Sequence, residues 1–106
     1  MKRFDLYGSS SLTLDEVRSL LEQQLDLEFA EHDSGYLGGI YFRFNSKDER
    51  LTVQTNRPDD EGYRQEDEFD EQMILVYVSR SHRWELLETL LSEQCGLELL
   101  RTKLVS

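Results

Sequence analysis

The chain opens with a short extended run, Arg3 to Tyr7, which Gly8 and the three serines after it bring to an end. The spacing of apolar residues then becomes helical. Leu14, Val17, Leu21 and Leu25, with Leu20 beside them, recur every three or four residues and fall on one face of an α-helix. The helix start carries several signals. Thr13 can accept hydrogen bonds from free first-turn N–H groups while Glu16 reaches back to the Thr13 N–H, the reciprocal arrangement of a capping box. Leu12 and Val17 flank the cap at the spacing of a hydrophobic staple. Asp15 and Glu16 place negative charge where the helix dipole is positive.

Past Asp26 the period falls to two. Leu27 and Phe29 share a face, which predicts a strand ending near His32; the glycine-rich stretch from Asp33 to Gly39 then turns the chain. Ile40, Phe42 and Phe44 alternate with Tyr41 and Arg43 as in a half-buried strand. After a polar turn from Asn45 to Glu49, Leu51, Val53 and Thr55 alternate with Thr52, Gln54 and Asn56, the expected antiparallel neighbour. Pro58 stops that strand, because proline has no N–H to give a ladder. Met73 to Val78 is a continuous apolar run rich in β-branched residues, the pattern of a central strand covered on both faces.

A second helix is expected between Ser81, read as its N-cap, and Gly96, read as its left-handed C-terminal turn. Trp84, Leu87, Leu90 and Leu91, with Leu86 alongside, form its apolar face. The alternation slips between Leu97, Leu99 and Leu100, Thr102, Leu104, which predicts a last strand with a bulge. The order is β-α-β-β-β-β-α-β: a single α+β domain, residues 1–106, with a mostly antiparallel sheet of about six strands and two helices packed on one face. The other face, bearing Tyr41, Arg43 and Gln54, is left for solvent or a partner.

Charge changes this picture at one place. The 106 residues hold 12 Lys plus Arg against 22 Asp plus Glu, a net charge of −10. Between Asp59 and Glu71 there are eight acids and one base, a net of −7, so the rest of the chain is nearly balanced. An acidic balance repels nucleic-acid phosphates and anionic membranes and favours a basic partner. The acids could simply be a solvated loop that keeps the protein soluble. Two features favour docking. Tyr63 and Phe69 interrupt the run, and aromatic residues set in a charged surface are typical interface anchors. Crowded carboxylates also repel one another unless a partner neutralises them.

The remaining chemistry is sparse. Asp59-Asp60-Glu61-Gly62 lacks the ligand spacing of an EF-hand, so no metal or cofactor is expected. His32, Asp33 and Ser34 are the residue types of a serine hydrolase, but neighbours on an extended chain point apart and cannot form one relay. Nucleophile elbow, phosphate-binding loop and zinc spacing are all lacking, so no catalytic residue and no small-molecule substrate is expected. His32, Asp33 and Tyr36 form at most a secondary partner-binding rim. Trp84 and Cys95 read as core. A single cysteine, a start unlike a signal peptide and no apolar run of about 20 residues together point to a reducing, cytoplasmic setting.

Three stretches, with the size, acidity and element order, give the chain a wider likeness. They are His32-Asp33-Ser34-Gly35-Tyr36-Leu37-Gly38-Gly39-Ile40-Tyr41-Phe42, Val53-Gln54-Thr55-Asn56-Arg57-Pro58-Asp59-Asp60 and Leu97-Glu98-Leu99-Leu100-Arg101. In these the sequence resembles the small bacterial immunity proteins of contact-dependent growth inhibition and related polymorphic toxin systems. The resemblance implies a cytoplasmic, non-enzymatic inhibitor that binds its cognate toxin domain, often a nuclease. Under that reading Asp59, Asp60, Glu61, Glu66, Asp67, Glu68, Asp70 and Glu71 supply the field that meets a basic toxin, and Tyr63 and Phe69 anchor it. The alternative is a non-enzymatic adaptor or regulatory module that uses a sheet edge or the polar sheet face.

Overall fold

The computed structural model describes residues 2–34, 39–58 and 61–106. Six strands form one antiparallel sheet: β1 (Lys2–Ser9), β2 (Ala30–Ser34), β3 (Gly39–Asn45), β4 (Arg50–Thr55), β5 (Ile74–Arg80) and β6 (Glu98–Val105). Their order across the sheet is β2-β3-β4-β5-β1-β6. The first strand thus lies between β5 and β6, and the two edges are β2 and β6. Helix α1 (Leu14–Leu25) follows β1, and α2 (Trp84–Thr89) precedes β6. The α+β class and the β-α-β-β-β-β-α-β order are those expected from the sequence.

Register explains the layers. Tyr7 lies opposite Val76, Val76 opposite Val53, and Val53 opposite Phe42, so these four side chains share one face. Leu51, Ile74 and Val78 lie on it as well. The core cluster joins this face to Val17, Leu21 and Leu25 of α1 and to Leu87, Leu91 and Cys95 from the second helical region. Both helices therefore pack on the same side. Each fully buried aliphatic side chain there contributes about 1.5–3 kcal/mol of transfer free energy.

Local signals hold up where they are complete. The Glu16 N–H donates to Thr13 Oγ1 at 3.2 Å and the Thr13 N–H to Glu16 Oε1 at 2.9 Å, so the capping box forms. Gly96 has φ +68°, the left-handed value expected of it. The bulge falls where Leu6 and Tyr7 face Arg101 and Leu99, leaving Leu100 as the extra residue.

Four expectations need correction. Leu27 and Phe29 precede β2 and pack against the core from outside the sheet, and the strand runs on to Ser34. Met73 is exposed, and the central strand starts one residue later. Ser81 does not cap α2; its hydroxyl donates to Glu49 and accepts the Arg83 N–H, and the helix starts after Arg83 without a side-chain cap. That helix then widens into a π-helical turn, Leu90–Gln94, closed by the Cys95 N–H donating to the Leu90 carbonyl. Finally, Gln54 is not available on an open face: it is only 3% exposed, and Leu6 and Leu75 on that face are also buried. The segment after β4 crosses this face, where Glu66 bonds to Tyr77 and Arg101.

Candidate protein-binding surface

Asn56, buried at the end of β4, organises this cover. Its Nδ2 donates to the carbonyls of Glu66, Phe69 and Gln72 at 3.0–3.2 Å, and its Oδ1 accepts the Glu66 N–H at 3.0 Å. One side chain thus bonds to four backbone groups of a segment with little regular structure; the Glu66 and Phe69 carbonyls also accept the Phe69 and Gln72 N–H groups, while the Gln72 carbonyl and the Glu66 N–H rely on Asn56. The segment supports itself with a 3-10 turn, Asp67–Phe69, and with the Arg64 N–H donating to Asp67 Oδ1. Gly62 has φ +88°, a backbone region that favours glycine.

The acidic run is then fixed to the helix-free face by Glu66. Leu6 pairs with Tyr77 on one side and Arg101 on the other, so these three lie in a row across β5, β1 and β6. Glu66 sits above the row: the Tyr77 hydroxyl donates to Oε2 at 2.6 Å, and Arg101 Nη1 donates to Oε1 at 2.9 Å. A second carboxylate, Glu68, meets the same guanidinium at 3.1 Å. Burial, together with the hydrogen bond to the carboxylate, pushes the Tyr77 hydroxyl well above its ordinary pKa, so it remains a donor. The bond to Glu66 likewise raises Arg101.

This geometry divides the acids named from the sequence. Glu66 has a side chain only 14% exposed and two partners, so it holds the segment down. Phe69 is half-buried. The run is therefore not solvated throughout: a carboxylate with a guanidinium and a phenol beside it can leave bulk water. Glu61, Asp67, Glu68, Asp70 and Glu71 stay exposed, and Tyr63 is 64% exposed among them. Asp59 and Asp60 lie outside the described residues.

The rim is also divided. The His32 ring stacks on Tyr41 at 5.2 Å with 19° between planes, and Arg43 lies over the same Tyr41 ring at 5.3 Å. Register through β3 and β4 puts Arg43, Thr52 and Tyr77 on one face, so this stack flanks the acidic cover on the helix-free side. Asp33 faces Ile40 on the opposite side of the sheet and does not join His32. Tyr36 lies outside the described residues. Among the described residues no three His, Cys, Asp or Glu side chains cluster to hold a metal ion.

Sequence reading did not find Asn56, Tyr77 or Arg101 as site residues. A lone buried Asn carries no periodic signal, and the spacing from Glu66 to Arg101 is set only by the sheet order. Also unread was Glu49. It is buried and takes Arg83 Nη2 on Oε1 at 2.6 Å, Arg83 Nε on Oε2 at 2.9 Å and the Ser81 hydroxyl on Oε2. This pair ties the β3–β4 turn to the start of α2.

No protein-family model matches the chain, and no curated protein matches it. No helix among the described residues is long and apolar enough to cross a membrane.

Proposed function

We propose that this protein is an immunity protein that binds and neutralises a cognate basic toxin domain, with the acidic cover as its contact surface. The observation that carries the reading is the arrangement of residues 61–71. Asn56 and Glu66 fix the backbone, while five other carboxylates and the Tyr63 ring remain at the surface. A preorganised anionic patch loses less conformational freedom on binding than a free loop. It also steers a cationic partner by long-range attraction. A nuclease-type toxin offers a matching basic, phosphate-binding groove, and occupying that groove blocks its substrate by sterics and charge. A cytoplasmic setting fits this role.

Co-expression with the polypeptide encoded immediately upstream tests the reading. The expected result is rescue of growth and co-purification at a fixed ratio. Failure of both, with the upstream protein shown to be toxic and well expressed, removes the proposal. A second reading, an adaptor that adds a partner strand, is favoured by one observation: Ala30 to Asp33 of edge strand β2 are all exposed. Strand addition predicts that proline at an outward-facing β2 amide abolishes binding, whereas the immunity reading places the loss at residues 61–71.

A further inference from the structure

At the end of the sheet opposite the acidic cover, the start of β1 meets the end of β5 and the start of β4 around a cleft of about 350 Å³. Its walls carry Lys2, Arg3, Arg50 and Arg80 with Phe4 and Trp84; among the described residues no acid lines it, the neighbouring carboxylates Asp5 and Glu49 being bonded to Arg3 and to Arg83 and Ser81. Four of the chain's 12 basic residues thus gather in one place in a protein of net charge −10. Arg3 has a carboxylate partner, gripping Asp5 with two bonds of 3.0 Å while it lies over the Trp84 ring at 5.0 Å. The other three differ. Arg50 and Arg80 stand directly opposite each other in the β4–β5 register, where like charges repel. Arg80 donates to Asn45 Oδ1 and the Ser46 carbonyl, which orient it without neutralising it. Among the described residues neither Lys2, Arg50 nor Arg80 forms an ion pair. The acidic segment joins the opposite ends of β4 and β5, and Glu66, which reaches to mid-sheet, is already paired with Arg101 and Tyr77.

We propose that this cleft is an anion site for a small organic phosphate of mononucleotide size. Two arginines paired across the β4–β5 register can offer their donor forks to phosphate oxygens, and a dianion relieves their repulsion. Phe4 is 38% exposed at the wall and offers a face for a planar group, while the volume lies within the range of small-ligand sites. The site departs from the sequence-based expectation of no small-molecule ligand, because its cations are dispersed along the chain. It is independent of the acidic surface and of the toxin reading.

Trp84 is the chain's single tryptophan, so its fluorescence reports the cleft directly. Titration with adenosine monophosphate should give a saturable change, and adenosine and inorganic phosphate should each bind at least tenfold more weakly. Arg50→Gln should weaken the nucleotide at least tenfold. Arg50→Glu, which can pair with Arg80, should abolish binding and leave the melting temperature equal or higher. No saturable response to the nucleotide, an equal response to adenosine, or unchanged affinity in a folded Arg50→Gln protein overturns the proposal. So does equal competition by a short glutamate peptide, which would make the cleft a general acidic-peptide surface.

Discussion

Asn56 and Glu66 are joined in both directions: the Asn56 amide donates to the Glu66 carbonyl at 3.2 Å and accepts the Glu66 N–H at 3.0 Å. The pair joins two residues ten positions apart in the sequence. Asn is suited to this task because it has both a donor group and an acceptor, and the Glu66 N–H fixes which atom is the oxygen. Asn56→Asp keeps the shape but removes the donors to three carbonyls and adds charge to a buried place. The Glu66 and Phe69 carbonyls keep their backbone N–H donors, but the Gln72 carbonyl loses its partner and a carboxylate faces all three, so we expect a loss of about 1–3 kcal/mol, the cost of one buried unpaired group. Urea unfolding should show the lower midpoint, and hydrogen exchange should quicken at residues 66–72 ahead of β1 and β5. Exchange rising uniformly over the whole sheet would contradict a local clamp.

The same geometry separates acids that hold the fold from acids available to a partner. Changing Asp70 and Glu71 together to Asn and Gln should alter stability by no more than about 0.5 kcal/mol per site, as for ordinary surface positions. Association with a basic partner should slow, and its salt dependence should flatten. Glu66→Gln should behave differently. It weakens the charge-assisted bonds from Tyr77 and Arg101 and should lower the urea midpoint. Surface-plasmon association rates at two salt concentrations, read beside urea curves, check both halves. If the double variant keeps the wild-type association rate and salt slope, these exposed acids are not part of the contact surface.

How far the sequence carried this reading depends on the range of each signal. The Thr13–Glu16 cap, the Gly96 turn and the alternation in β3 and β4 involve residues within a few positions of one another, and all were legible. The bulge in β6 was also legible, because it shifts the period by one. Ser81 shows the limit. Its residue type matches an N-cap, but buried Glu49, 32 residues away, takes its hydroxyl and Arg83 becomes the cap instead. The acidic run was conspicuous as composition, yet its division into Glu66 and the exposed acids depends on Tyr77 and Arg101. Those two share Glu66 only because the sheet order sets β5, β1 and β6 side by side. The cleft around Arg50 and Arg80 was illegible for the same reason.

Cys95 lies buried against the core at the end of the π-helical turn, and burial pushes its thiol above its ordinary pKa. Only the thiolate reacts rapidly, so both access and chemistry protect it. We expect iodoacetamide to modify the native protein far more slowly than the same chain in urea. The native rate should rise in step with unfolding when sub-denaturing urea is added. Rapid, urea-independent modification, followed by mass spectrometry, would place Cys95 at an accessible surface and contradict this packing.

Glu49 and Arg83 predict the acid limb of the stability curve. Burial alone would raise the Glu49 carboxyl, but the hydrogen bonds from Arg83 and Ser81 and the Arg83 charge outweigh it and hold the group below the usual carboxylate range. A carboxyl whose folded pKa is depressed stabilises the fold above its unfolded pKa of about 4.3. That contribution is lost as the pH falls through the lower, folded value. Glu49→Gln removes the charge while keeping the shape and leaves Arg83, half-buried, without its counter-ion. Breaking a fully buried pair costs about 3–5 kcal/mol; with the Arg83 side chain 25% exposed, we expect roughly 1–3 kcal/mol at neutral pH. The wild type and Glu49→Gln should then converge on acidification, since a protonated Glu49 resembles the amide. Urea unfolding at steps from about pH 7 down to pH 3 measures the gap directly. A gap that stays constant across this range would mean that Glu49 does not contribute through its charge.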